Sequence, residues 1–150
     1  RKVMIDMSYS KQAIAAYQTA VLTTPPLQAV VLLYDGILVR VHNAANAAAK
    51  GDYGRQYDEI ARAIEILRGL LAALDFKAGG QLAANLAETY KVNMQALLRT
   101  VGRKDAESQC RRIGEGLRNL RNAWAEIAGM AGQDNAARPA AGASTARYDA

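Results

Sequence analysis

The chain has 150 residues, of which 51% are hydrophobic and only 6% aromatic, and its formal net charge is +5. This length suffices for one domain with a hydrophobic core, and abundant alanine favours close-packed helices over sheets. The single cysteine cannot form an internal disulfide, and no uninterrupted apolar run reaches the roughly 20 residues of a membrane span. We therefore expect a cytoplasmic protein that is not inserted in a membrane.

The first predicted element is a short helix from Lys11 to Thr19, with Ile14 and Tyr17 on one side. Two helical turns are too short to be stable alone, so this helix must either dock on something or fray. We assign it to an N-terminal segment of residues 1–24 and interpret it as a lid.

Four long helices follow, predicted by apolar residues at alternating spacings of three and four. They run from about Pro25 to Lys50, from Asp52 to about Asp75, from Gly80 to Thr100, and from an Asp105 cap to about Ile127. The predicted core seam comprises Leu27, Val31, Tyr34, Leu38, Val41, Ala45 and Ala48, then Tyr57, Ile60, Ile64, Leu67, Leu71 and Leu74, then Leu82, Leu86, Tyr90, Met94, Leu97 and Val101, and finally Cys110, Ile113, Leu117, Leu120, Trp124 and Ile127.

Long helices joined by short loops predict an all-α fold, an antiparallel up-down-up-down four-helix bundle. The bundle is expected over residues 25–130, preceded by the short helical segment. Residues 131–150 contain few large aliphatic side chains, which is typical of a disordered tail.

The sequence offers no candidate for catalysis or for metal and cofactor binding. His42 is the only histidine and has no glutamate three residues before it, so it does not fit a di-metal carboxylate motif. Cys110 lies on the core seam, where a free cysteine behaves as a small apolar group. No glycine-rich phosphate loop is present either. We therefore expect a protein that is not an enzyme and has no cofactor.

The basic residues between Arg99 and Arg121 are interleaved with acidic ones and lack stacking aromatic neighbours. This pattern favours a solvated helix face over a nucleic-acid site. The residues concerned are Arg99, Arg103, Lys104, Arg111, Arg112, Arg118 and Arg121.

Several apolar residues fall outside the predicted seam and exceed what one core needs. Scattered exposed leucines are ordinary in globular proteins, but a contiguous patch would mark a partner site. A homo-oligomer interface would leave the same pattern. The candidate partner-binding residues are Tyr17, Leu32, Leu33, Val39, Ile66, Leu70, Met94 and Leu98.

Several stretches, covering about Ala16 to Ala128, give the chain a specific resemblance. They are AYQ, PPLQAVVLLYDGIL, ALDFKAGGQLAANL, TYKVNMQALLRTVGRKD and the late NAW. In these motifs the chain resembles the FliS family of flagellar secretion chaperones. It departs from the family pattern at Gln81, where glutamate is usual.

The resemblance implies a four-helix bundle that binds the disordered C-terminal region of flagellin in the cytoplasm. Binding would prevent premature polymerisation, and the complex would be delivered to the flagellar export gate without a metal or nucleotide. The rival interpretations are a homo-oligomeric structural bundle, such as a homodimer without a flagellin client, and a membrane or nucleic-acid binder. Neither membrane nor nucleic-acid binding is expected.

Overall fold

A computed structural model describes Ile14 and residues 27–129 of the chain. The long helices are α1 (Leu27–Ala49), α2 (Tyr53–Ala72), α3 (Phe76–Arg99) and α4 (Ala106–Ile127). No strand occurs among the described residues. The predicted all-helical class is confirmed. The expectations for the tail and for most of the N-terminal segment, Tyr17 included, lie outside the described residues.

The ends of α1 and α2 follow from local backbone chemistry. Gly51 follows α1 with a φ of 74°, a left-handed conformation that glycine adopts without strain. Asp52 is the N-cap of α2, and its Oδ1 accepts the backbone N–H of Arg55 at 3.1 Å. This capping bond satisfies one of the donors that a helix start leaves free. Both features agree with the sequence analysis.

The start of α3 differs from the sequence analysis. The helix begins at Phe76, because Oδ1 of Asp75 accepts the backbone N–H of Ala78 at 2.9 Å and caps a first turn. Gly80, the predicted start, instead interrupts the helix with φ 55° and ψ −131°. The two consecutive glycines therefore mark a kink inside α3.

The prediction that Asp105 caps α4 is confirmed for its position but not for a capping hydrogen bond. The residue occupies the N-cap position but its carboxylate makes no capping bond. It instead accepts hydrogen bonds from Nε of Arg103 at 3.1 Å and from Nε2 of Gln109 at 3.0 Å. Both oxygens are thus engaged by side chains rather than by the helix backbone.

The hydrophobic core lies between the helices and follows most of the predicted seam. Helix α1 packs closely along both α2 and α4, whereas α3 approaches α2 less extensively and α4 least. Ile14 is helical and fully buried in the same core. The fully buried large side chains are Tyr34, Tyr90, Ile14, Ile37, Ile60, Leu67, Leu86, Leu97 and Leu117.

Tyr57 departs from the predicted seam, since 51% of its surface is exposed. Its neighbour Gln56 takes the inward position, and Nε2 of that amide donates to Oγ1 of Thr100 at 3.0 Å. Successive helical residues are about 100° apart, so an inward Gln56 turns Tyr57 towards solvent. Gln56 therefore occupies the core position that the sequence pattern assigned to Tyr57.

Polar pairs join the helices across the interior. The hydroxyl oxygens of Tyr34 on α1 and Tyr90 on α3 lie 2.5 Å apart in a buried hydrogen bond. Arg121 on α4 is buried and ion-paired with Asp35 on α1, so the prediction that it belongs to a solvated face is wrong. These pairs satisfy polar groups that would be costly to bury alone.

Within the part of the chain that the structure describes, no helix has both the length and the apolar character needed to cross a bilayer.

Candidate partner-binding surfaces

The first candidate surface lies on the outside of α1. Leu32 and Leu33 are 61% and 37% exposed, and Val39 is partly buried. They point away from the core because the seam residues Val31 and Leu38 are buried on the inner side of the same helix. The excess apolar surface predicted for α1 is therefore present.

Helix α2 contributes Ile66 to the edge of this outer surface. Gly36 on α1 has no side chain, and a Cβ built there would lie 3.3 Å from Cδ1 of Ile66. The two helices therefore approach each other closely, and Ile66 is partly buried in the contact. We define Leu32, Leu33, Val39 and Ile66 as the α1 patch.

Leu70 was also predicted to be an exposed partner-binding residue but is only 6% exposed and belongs to the core. Its predicted surface position is therefore wrong. Leu70 lies one helical turn beyond Ile66, on the flank of α2 that faces α1. Close packing between those helices widens the buried sector of α2 beyond the stripe that the sequence pattern indicates.

The second candidate surface lies where α2 begins and α3 ends. Leu98 is 48% exposed and Met94, one turn earlier, is partly buried against the core. The hydrogen bond between Gln56 and Thr100 brings the start of α2 to the end of α3. Tyr57 and Leu98 are therefore exposed at the same end of the molecule. We define Met94, Leu98 and Tyr57 as the α3 patch.

Three aromatic residues are exposed that the sequence pattern did not indicate as surface candidates: Tyr53, Tyr57 and Phe76. Tyr53 and Tyr57 are one turn apart on α2, which places them on one face of the helix. The sequence does hold one indication that Tyr57 could be exposed. A glutamine stands beside it at position 56, and either residue could have faced the core. Phe76 is exposed because it starts the first turn of α3, ahead of the kink at Gly80.

The eight predicted contact residues thus separate into distinct groups. Leu32, Leu33, Val39 and Ile66 share the α1 patch, while Met94 and Leu98 share the α3 patch. Leu70 is in the core, and Tyr17 lies outside the described residues.

The α1 patch is held in place by polar contacts on both sides. Nη1 of Arg40 donates to Oε1 of Glu59 on α2 at 3.2 Å, and Nε of Arg121 donates to Oδ1 of Asp35 at 2.8 Å. Both bonds are charge-assisted, which makes them stronger than neutral hydrogen bonds. A rigid apolar surface of this kind suits binding rather than covalent chemistry.

Within the described residues, His, Cys, Asp and Glu side chains form no cluster of three that could hold a metal ion. The thiol of Cys110 is buried, with its Sγ 3.5 Å from Oγ1 of Thr100 and 3.7 Å from Nε2 of Gln56.

The pKa of Asp105 is lowered, first by the hydrogen bond from Gln109 and second by the one from Arg103. This carboxylate lies in the loop between α3 and α4.

Comparison with known proteins adds a family assignment to this geometry. The family model described as "Flagellar protein FliS" matches residues 9–131. A curated relative from Salmonella typhimurium (strain LT2), named "Flagellar secretion chaperone FliS", is 31% identical over 125 residues. The match covers 79% of this chain and 92% of that relative.

Proposed function

Because the chain belongs to the FliS family of flagellar proteins, we propose that it is a cytoplasmic export chaperone for flagellin. It binds the disordered C-terminal region of flagellin, prevents premature polymerisation and delivers the client to the flagellar export gate. The family membership carries this proposal, together with the relative named as a flagellar secretion chaperone. The exposed leucines of the two patches supply a physical means of binding.

Binding is expected to rest on apolar burial over a large area. A disordered client loses conformational entropy when it is ordered, so a few contacts do not suffice. Leu32 and Leu98 expose about half or more of their surface, and covering them removes apolar area from water. A flagellin segment that spans both patches would gain from each of them.

We propose that the helices of the bundle run antiparallel in sequence order. Gly36 approaches Ile66, and Arg40, one turn later on α1, pairs with Glu59, which is earlier on α2. On the other side, Asp35 pairs with Arg121, whereas Asn46 accepts from Arg111 at 2.9 Å. In both cases the partners run in opposite order along the chain, which supports the proposal.

We propose the N-terminal segment, residues 1–24, as a lid on the client site. The complete burial of Ile14 supports docking of this segment on the core. A lid lowers apparent affinity by the fraction of molecules that it leaves open. Tyr17→Ala should therefore leave the binding of a flagellin C-terminal peptide unchanged or tighten it, and a large loss would instead make Tyr17 a contact residue.

The main test measures binding of a fluorescent flagellin C-terminal peptide to the purified full chain by anisotropy. Leu98→Asp and Leu32→Asp should each weaken binding about tenfold, because each puts a charge where the bound peptide would cover an apolar side chain. Gln95→Asp, also exposed on α3, adds the same charge without removing an apolar side chain and serves as the control.

Thermal unfolding of the same variants separates binding from folding. Unchanged melting with weakened binding supports the proposal, whereas wild-type binding in both leucine variants would overturn it. Native mass spectrometry with and without the peptide tests the homo-oligomer alternative. A homodimer that persists and excludes the peptide would favour that alternative.

A further inference from the structure

A recess lies between α1 and α4, a different helix pair from the one that carries the α3 patch. Its floor is apolar and formed by Leu38, Val41 and Gly114, and its volume is about 180 Å³. Because Gly114 has no side chain, Cγ1 of Val41 lies only 3.4 Å from where a Cβ would be. The missing side chain therefore lets α4 approach Val41 of α1 closely at the floor of the recess.

A polar recess of about 280 Å³ adjoins it where α1 is followed by α2. Lys50 and Arg55 line this recess together with two asparagines of α1. Asn46 connects the two recesses, since its Oδ1 accepts from Nη2 of Arg111 at 2.9 Å and its Nδ2 lies 3.2 Å from Nε2 of His42. Both of those partners line the first recess. We call the combined feature the α1–α4 groove.

Cationic side chains outnumber carboxylates in the lining of the α1–α4 groove, and one of them, Arg111, is already ion-paired with Glu107 at 3.0 Å. Four cationic side chains line it against two carboxylates: Lys50, Arg55, Arg111 and Arg118 against Asp52 and Glu115. Among the described residues, the side chains of Lys50 and Arg55 take part in no ion pair or hydrogen bond. Asp52, by contrast, is occupied in capping α2.

We propose that the α1–α4 groove binds an acidic segment of a second protein through carboxylates flanking one apolar side chain. The apolar side chain would occupy the floor at Gly114, and the carboxylates would pair with Lys50 and Arg55. The recess, at about 180 Å³, is larger than a site for one water and has room for an apolar side chain above this floor.

The lining favours an acidic polypeptide over a nucleic acid. No Phe, Tyr or Trp side chain lines either recess, and His42 is the only lining residue with a ring on which a base could stack. The groove also leaves Leu98 and Tyr57 of the α3 patch uncovered. A client bound at the α3 patch would therefore leave the groove free for an acidic partner, and this inference does not depend on the client being flagellin.

The test uses the isotopically labelled full chain and the capped pentapeptide Glu-Glu-Leu-Glu-Glu, followed by NMR titration at low salt. The backbone amide of Gly114 and the side-chain amide of Asn46 should shift most. A pentapeptide with serine in place of leucine should bind about threefold or more weakly, because it lacks the apolar group. Shifts centred on Arg99, Arg103 and Lys104, or no shifts at all, would overturn the proposal.

Charge-reversal variants sharpen the test. Lys50→Glu with Arg55→Glu should weaken the leucine peptide about tenfold, because two attractions become repulsions. Arg62→Glu with Arg68→Glu changes the net charge equally at exposed sites of α2 and should weaken it no more than about threefold through screened long-range effects. Equal losses in both double variants would show that the peptide senses only overall charge, and the groove would be rejected.

Gly114→Ala provides a variant in which a folding defect is not expected. Alanine favours helix more than glycine does, while its Cβ reduces the depth of the floor. The variant should weaken the leucine peptide about threefold and leave the serine peptide unchanged, as expected for the loss of a buried apolar contact. An unchanged affinity for the leucine peptide would exclude the floor from the binding site.

A single-stranded oligonucleotide that binds more tightly than the acidic peptide would also overturn the proposal.

Discussion

Arg121 on α4 donates to both carboxylate oxygens of Asp35 on α1, with Nε 2.8 Å from Oδ1 and Nη2 3.4 Å from Oδ2. The same guanidinium donates from Nη1 to Oδ1 of Asn122 at 3.2 Å. Arg121 is buried, and its partner lies 86 residues earlier in the chain. This pair joins the first long helix to the last.

Arg121→Ala should lower the free energy of unfolding by about 2–4 kcal/mol, because it leaves the largely buried carboxylate of Asp35 without its cation. Urea denaturation followed by circular dichroism measures the change. Arg112→Ala on the exposed face of α4 is the control and should change stability by no more than about 0.5 kcal/mol. Equal stability of the two variants would show that the pair does not hold the helices together.

Leu70→Ala and Leu98→Ala test the division between core and surface. Leu70 is buried, so its truncation should cost about 2–4 kcal/mol of unfolding free energy through lost burial and a cavity. Leu98 is largely exposed, and its truncation should stay within about 0.5 kcal/mol of the wild type. Denaturant unfolding distinguishes them, and a reversed order would contradict the burial described above.

Gly80→Ala should destabilise the protein by about 1–3 kcal/mol, since φ 55° with ψ −131° is accessible to glycine but strained for alanine. No neighbouring atom lies within 4 Å of a Cβ built there, so the cost is backbone strain rather than crowding. Gly69→Ala in α2, where the added Cβ also meets open space, should instead stabilise by up to about 1 kcal/mol. Calorimetric melting of both variants checks the opposite signs. A Gly80→Ala protein as stable as the wild type would rule out the kink as a required feature.

Asp105 should make stability depend on pH. Hydrogen bonds from Gln109 and Arg103 lower the pKa of its carboxyl from the ordinary value of 3.8. The carboxylate therefore stabilises the folded state above that value, and the contribution is lost as the pH falls through the folded-state pKa. Asp105→Asn should melt below the wild type at neutral pH.

The difference in melting temperature between wild type and Asp105→Asn should shrink on acidification below 3.8. Asp58→Asn is the control, because the Asp58 side chain forms no hydrogen bond or ion pair among the described residues. A difference for Asp105→Asn that stays constant with pH would mean that the two hydrogen bonds do not favour the charged form.

Helical periodicity predicted the four long helices and most of their buried seam. It succeeded for Val31, Tyr34 and Leu38 on α1 and for Leu117 and Trp124 on α4, because each lies on the single stripe that faces the core. Periodicity reports local geometry, so it works wherever one side of a helix is covered and the other is not.

The errors arose where a tertiary contact overrides the local pattern. Leu70 is buried because α1 packs against the flank of α2 on which it lies. Tyr57 is exposed because the neighbouring Gln56 faces inward and donates a hydrogen bond to Thr100. Arg121 likewise pairs with a residue far away in the sequence, Asp35. For the candidate site, the sequence indicated Leu32, Leu33 and Leu98 as exposed but could not show that they form two separate patches.

Because Gly36 and Ile66 approach closely, the side-chain size that fits at one of these positions depends on the residue at the other. Alanine at position 36 would place its Cβ 3.3 Å from Cδ1 of Ile66, so the isoleucine would have to shift. Valine at position 66 lacks that terminal methyl and would leave room for the alanine. In related chains we therefore expect residue sizes at these positions to vary in compensation, with a larger residue on α1 accompanied by a shorter one on α2.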